Sequence, residues 1–141
     1  MTSAMPRAAL VLGLLGLVPF VAFAAAVRTG LVLPADPARI GAVLYGVVIL
    51  SFMGGAQWGL ATAAPRPRPR AFIVSVAPAL LAWASLALDA RLSLLLLTGG
   101  FAALLAYDLW TVRQGEAPPW YGRLRIGLTG VVAACLLAAA L

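Results

Sequence analysis

LVLGLLGLVPFVAFAAAV, residues 10–27, contains no hydrogen-bonding side chain over 18 positions. About 20 such residues cross the hydrocarbon core of a bilayer, so the run reads as a membrane helix over about 8–28. Arg7 and Arg28 bracket it. A secretory leader is the rival reading, since Arg7, a long apolar stretch and the small residues Ala22 to Ala26 also fit one. We read it as a retained helix.

The rest of the chain repeats the pattern. Asp36-Pro37 supplies an N-cap acid and a first-turn proline for a second helix, about 38–62. Pro65-Arg66-Pro67-Arg68-Pro69-Arg70 excludes a helix and predicts an extended turn. From Ala71 to Val112 one unbroken helix would be about 63 Å long, roughly twice a bilayer core. Asp89 and Arg91 therefore mark a turn between helices over about 71–88 and 91–112, with Asp89 as N-cap. Arg113 to Tyr121 reads as a polar loop with interfacial aromatics, and a fifth helix follows over about 122–141. The expected fold is all-α: one polytopic bundle of five transmembrane helices formed by residues 1–141.

Composition agrees. The chain is 64% apolar and 10% charged, against about 25% charged in an ordinary soluble domain. All ten basic residues are Arg and lie between the apolar runs, which argues against a nucleic-acid surface despite a net charge of +6. Abundant Ala, Leu and Arg with no Lys suits a high-GC bacterial genome. In alternate loops, seven arginines (7, 66, 68, 70, 113, 123, 125) face three (28, 39, 91). The excess predicts a cytoplasmic N-terminus and a periplasmic C-terminus in a bacterial inner membrane. Arg66, Arg68 and Arg70 dominate that count, and they could also attract anionic lipid or a cytoplasmic partner.

Small residues predict where helices touch. In the second helix, Gly46, Leu50, Gly54 and Gln57 share one face, and Ser51, Gly55, Trp58 and Thr62 another, with Gly55 and Gly59 in GxxxG spacing. Contacts are expected on both faces, which puts this helix at the centre. Gly127 and Gly130 predict a seam on the fifth helix, as do Gly13 and Gly16 on the first and Gly99 on the fourth. Pro19 and Pro78 free carbonyls in their helices, and Trp58, Pro78 and Trp83 are candidates to line a small cavity.

Depth brings polar residues of four helices to one level: Gln57, Ser75, Asp108, Arg123 and Arg125. An ionisable residue within a span calls for a named partner, and Asp108 is expected to pair with Arg125 or Arg123. Such a pair holds helices in register more readily than it performs chemistry. The bland alternative is that Asp108 reaches interfacial water and the arginines snorkel to headgroups.

No catalytic residue stands out. Histidine and Lys are absent, and Cys135 is the lone cysteine. That removes imidazole ligands for haem or zinc, a base for a Ser or Cys nucleophile, and the lysine of a phosphate loop. No enzyme activity, cofactor or metal is expected.

Tyr45-Gly46-Val47-Val48-Ile49-Leu50-Ser51-Phe52-Met53-Gly54-Gly55-Ala56-Gln57-Trp58-Gly59 resembles the signature of a small integral-membrane family of unknown function. That family's mitochondrial relatives are named transmembrane protein sixty-nine. Ser75 to Trp83, Tyr107-Asp108, Pro119-Trp120-Tyr121 and Leu124-Arg125 resemble its later motifs. Members often carry His where this chain has Gln57, a departure that weakens a metal or proton-relay role there. The resemblance implies no reaction, only a link to energy-transducing membranes. The expected role is an accessory, scaffold or assembly subunit of a larger complex, with membrane lipids and other membrane subunits as partners. The alternative is a small transporter or a binder of an apolar ligand such as lipid or quinone.

Overall fold

A computed structural model describes residues 4–141 as five helices: α1 (Arg7–Thr29), α2 (Ala35–Ala63), α3 (Pro69–Ser85), α4 (Ala90–Arg113) and α5 (Pro119–Ala140). Local chemistry is plain at two of the ends. Gly30 closes α1 in the left-handed conformation, φ 66°, and donates its N–H to the Ala26 carbonyl. Asp89 caps α4, its carboxylate accepting from the backbone of Arg91 and Leu92.

Four boundaries differ from the sequence reading. α3 begins at Pro69, so Pro69 and Arg70 form its first turn, where a proline's missing N–H costs nothing, and are not part of the extended segment. The second helix begins at Ala35, after Pro34, so Asp36 and Pro37 lie inside its first turn rather than heading it. Proline is tolerated there because first-turn N–H groups have no helical acceptor, and Asp36 pairs with Arg39 at 3.0 Å. α3 stops at Ser85, and Leu86, Ala87 and Leu88 continue as a tighter i→i+3 turn. α5 starts at Pro119, which draws Trp120 and Tyr121 out of the expected loop and into its first turn.

The helices alternate in direction. Gly41 near the start of α2 meets Phe23 near the end of α1, and Gly54 late in α2 meets Ser75 early in α3. Ser93 of α4 donates to the Ser85 carbonyl of α3. Gly13 lies against Leu128, which makes α1 and α5 parallel neighbours and closes the ring. α2 touches all four other helices. Its Tyr45 hydroxyl donates to the Gly16 carbonyl at 2.9 Å, in the turn of α1 that Pro19 loosens. Its Arg39 Nε donates to the Ala139 carbonyl of α5. The core is made by Phe20, Leu50, Leu97, Phe101 and Leu136.

The outside is as apolar as the inside. Leu12, Val18, Phe52, Ile73 and Leu80 all project outward from the bundle. A soluble protein does not carry so continuous an apolar surface. Four of the five helices are long and apolar enough to cross a bilayer; α3, with 17 residues, is the shorter fifth. The chain is a multi-pass membrane protein.

The small-residue faces divide. Gly46 and Gly54 are buried inside the bundle, as expected of contact positions. Gly55, Gly59, Gly127 and Gly130 are not seams among the described residues: a Cβ added at any of them would meet nothing within 4 Å. The same holds for Gly16 and Gly99. α2 is thus central through one broad face, and its Gly55–Trp58 face looks outward. The physical reason is that five helices leave each one a lipid side, and spacing alone does not distinguish a seam made within the chain from an outer one.

Candidate functional site

At the end of the bundle where α2 and α4 finish and α3 and α5 begin, one carboxylate is buried. Asp108, one turn past Leu104 on the inward face of α4, is 0% exposed. Its Oδ2 accepts from Arg125 Nε of α5 at 2.5 Å. Its Oδ1 accepts from the side-chain amide of Gln57 on α2 and, at 3.4 Å, from the Tyr121 hydroxyl of α5. Thr111 donates to the Asp108 backbone carbonyl at 2.8 Å. A carboxylate held by three donors, with its counter-charge 4% exposed, is a compensated buried ion pair. Its three helices are thereby fixed in one register.

Two polar atoms beside the pair have no hydrogen-bond partner among the described residues, Arg125 Nη2 and Thr129 Oγ1. They stand one turn apart on the inward face of α5. The described residues contain no group of three or more His, Cys, Asp or Glu side chains placed to hold a metal.

The amino-acid sequence of residues 5–141 matches the model of a family described as a protein of unknown function, DUF3429. The chain is a member of this family. It is also 37% identical, over 132 residues, to Transmembrane protein 69 of Xenopus tropicalis, a match that covers 89% of this chain and 51% of that protein. The chain therefore spans about half the length of that relative. No solved structure matches it.

Not every polar residue expected at this level of the family member joins the network. Gln57, Asp108 and Arg125 come together, whereas Arg123 lies exposed outside them. Ser75 is buried but donates to the Phe72 carbonyl of its own helix. Two participants were not singled out in the sequence, Tyr121 and Thr111. The signal for Tyr121 was present: Pro119 suits the first turn of a helix, and a helix begun there puts Tyr121 and Arg125 four residues apart on one face.

The cavity expected beside Trp58, Pro78 and Trp83 does not form. Trp83 is 73% exposed, on the outer surface of α3. Trp58 faces outward too, its ring edge-to-face with Phe72 at 4.9 Å, and Pro78 is buried against Gly54. A proline inside a helix predicts a kink but not which way it faces. A cavity of about 600 Å³ lies instead at the arginine-rich end, with Gln57 in its wall and the α2–α3 connection, the first turn of α3 and residues 115–116 around it.

Proposed function

We propose that this chain is a non-enzymatic accessory or assembly subunit of a larger complex in a bacterial inner membrane, one that serves an energy-transducing assembly. The observation that supports this is the outward glycine surface. Gly55 and Gly59 on α2, and Gly127 and Gly130 on α5, present bare backbone where none of the described residues packs. Small residues in such rows let a helix of another chain approach closely, and lipid tails fill the resulting grooves less well. The Asp108–Arg125 pair then serves to hold α2, α4 and α5 in the register that displays those rows.

Purification in a mild detergent tests the reading. A membrane partner should co-purify in fixed proportion and be lost with Gly55→Leu/Gly59→Leu, while the variant's own melting temperature stays unchanged because both sites are open. A chain recovered alone under several mild detergents would refute the accessory role.

The proposed topology has five crossings, a cytoplasmic N-terminus and a periplasmic C-terminus. For α3, about 26 Å long at 1.5 Å per residue, support comes from its neighbours. It joins the end of α2 to the start of α4, which lie at opposite ends of the bundle, and its outer face is Ile73, Val76, Leu80 and Trp83. The arginine excess supports the orientation. A reporter fused after Leu141 should be active only in the periplasm, and one inserted at Gly115 only in the cytoplasm. The reverse pattern overturns the orientation.

A transporter or apolar-ligand role is the second reading. The cavity at the arginine-rich end favours its lipid-binding form.

A further inference from the structure

We propose that this cavity binds the phosphate headgroup of an anionic phospholipid. The inference rests on the cavity and its charges and is independent of any partner subunit.

Six side chains define the chemistry: Arg66, Arg68, Arg70, Glu116, Tyr107 and Gln57. Arg68 and Arg70 reach the same Glu116 oxygen, at 3.2 and 3.3 Å, and Arg66 pairs with no carboxylate among the described residues. Three guanidinium groups against one carboxylate leave two positive charges uncompensated around a single hollow of about 600 Å³. That size is ordinary for a small-molecule site. Guanidinium forks match phosphate oxygens in pairs, which gives geometry as well as charge.

The arginines are also held in place before any ligand arrives. Prolines 65, 67 and 69 alternate with Arg66 and Arg68, and each fixes its own backbone φ, Pro69 in the first turn of α3, so less freedom is lost when the segment grips an anion. The Arg70 guanidinium lies 4.4 Å from the centre of the Trp110 ring, which fixes it a second time. Glu116 is positioned by the turn that ends α4. Gly115 takes φ 73°, its N–H donates to the Val112 carbonyl, and the Glu116 N–H donates to the Thr111 carbonyl. Glu116 therefore occupies the place an incoming anion would take, as an exchangeable stand-in.

Membrane depth selects a lipid over a soluble phosphate. Five of the seven Trp and Tyr residues (58, 107, 110, 120 and 121) gather at this end, the pattern of side chains at headgroup level. The lining also includes Leu60 and Ala61, an apolar surface for the glycerol and first methylenes.

Native mass spectrometry of the full chain in detergent tests the proposal, with phosphatidylglycerol, phosphatidylcholine and glycerol 3-phosphate as probes. Phosphatidylglycerol should be retained in preference to phosphatidylcholine, and Arg66→Gln/Arg68→Gln/Arg70→Gln should weaken it about a hundredfold, as loss of three basic contacts to anionic lipid implies. Glu116→Gln should tighten it several-fold, because the two guanidinium groups are released. Equal retention of the two lipids overturns the proposal, as does wild-type phosphatidylglycerol binding by the triple variant. Glycerol 3-phosphate held as tightly as the lipid assigns the site to a soluble phosphate and overturns the lipid. Should the triple variant fail to fold, Glu116→Gln decides, and unchanged or weaker lipid binding is the refuting result.

Discussion

Arg125→Ala should destabilise the folded chain by about 3–5 kcal/mol, because it strands a buried carboxylate without its counter-charge. Asp108 is wholly enclosed, and Gln57 and Tyr121 supply hydrogen bonds but no positive charge. Within a membrane bundle water cannot compensate cheaply. Removing both charges is a different experiment. Asp108→Leu/Arg125→Met replaces the pair by apolar groups of similar bulk and should recover most of the loss, since such replacements are often neutral. Denaturation of the purified protein in mixed micelles, followed by helical circular dichroism, gives the comparison. Arg123→Ala serves as the control and should leave the midpoint unmoved, because Arg123 lies outside the network. If Arg125→Ala unfolds at the wild-type midpoint, the carboxylate does not depend on this arginine and the clamp is wrong.

The second large effect belongs to Gly54. A Cβ built there would stand 2.6 Å from the Ser75 carbonyl oxygen and 3.4 Å from Pro78. The oxygen is main chain and cannot rotate aside, so α3 would have to move away from α2 as a body. Gly54→Val should cost about 1–3 kcal/mol or more, in the range for overpacked interiors. Its neighbour supplies the contrast. Gly55→Val enters open space and should leave the isolated chain as stable as before. The same denaturation series decides between them, and equal midpoints for the two variants would show that α2 and α3 do not meet at Gly54.

Both effects show what could be read without coordinates. Apolar runs announced five helices, and the cap at Asp89 was legible because an acid before a helix satisfies free N–H groups wherever the helix sits. The meeting of Gln57, Asp108 and Arg125 was also legible, since alternating helices bring residues near their ends to a common depth. Depth does not carry rotation about the helix axis. That is why Arg123 and Arg125, two residues apart, could not be told apart, although only Arg125 turns inward. The same missing angle hid which glycines face protein and which face lipid. It also put Trp83 in a supposed cavity when the ring projects outward. The cavity at the arginine-rich end needed two segments distant in sequence, 64–71 and 115–116, and no local pattern joins Arg68 to Glu116.

The buried pair also imposes an order on biogenesis. Asp108 is synthesised 17 residues before Arg125, whose guanidinium neutralises it. While α4 is inserting, its acid has Gln57 within reach but not the arginine that pairs with it in the folded bundle. α1 likewise waits for α5, against which it closes the ring. The 22-residue α5 is thus the latch of the five-helix bundle, which closes only once α5 has been delivered.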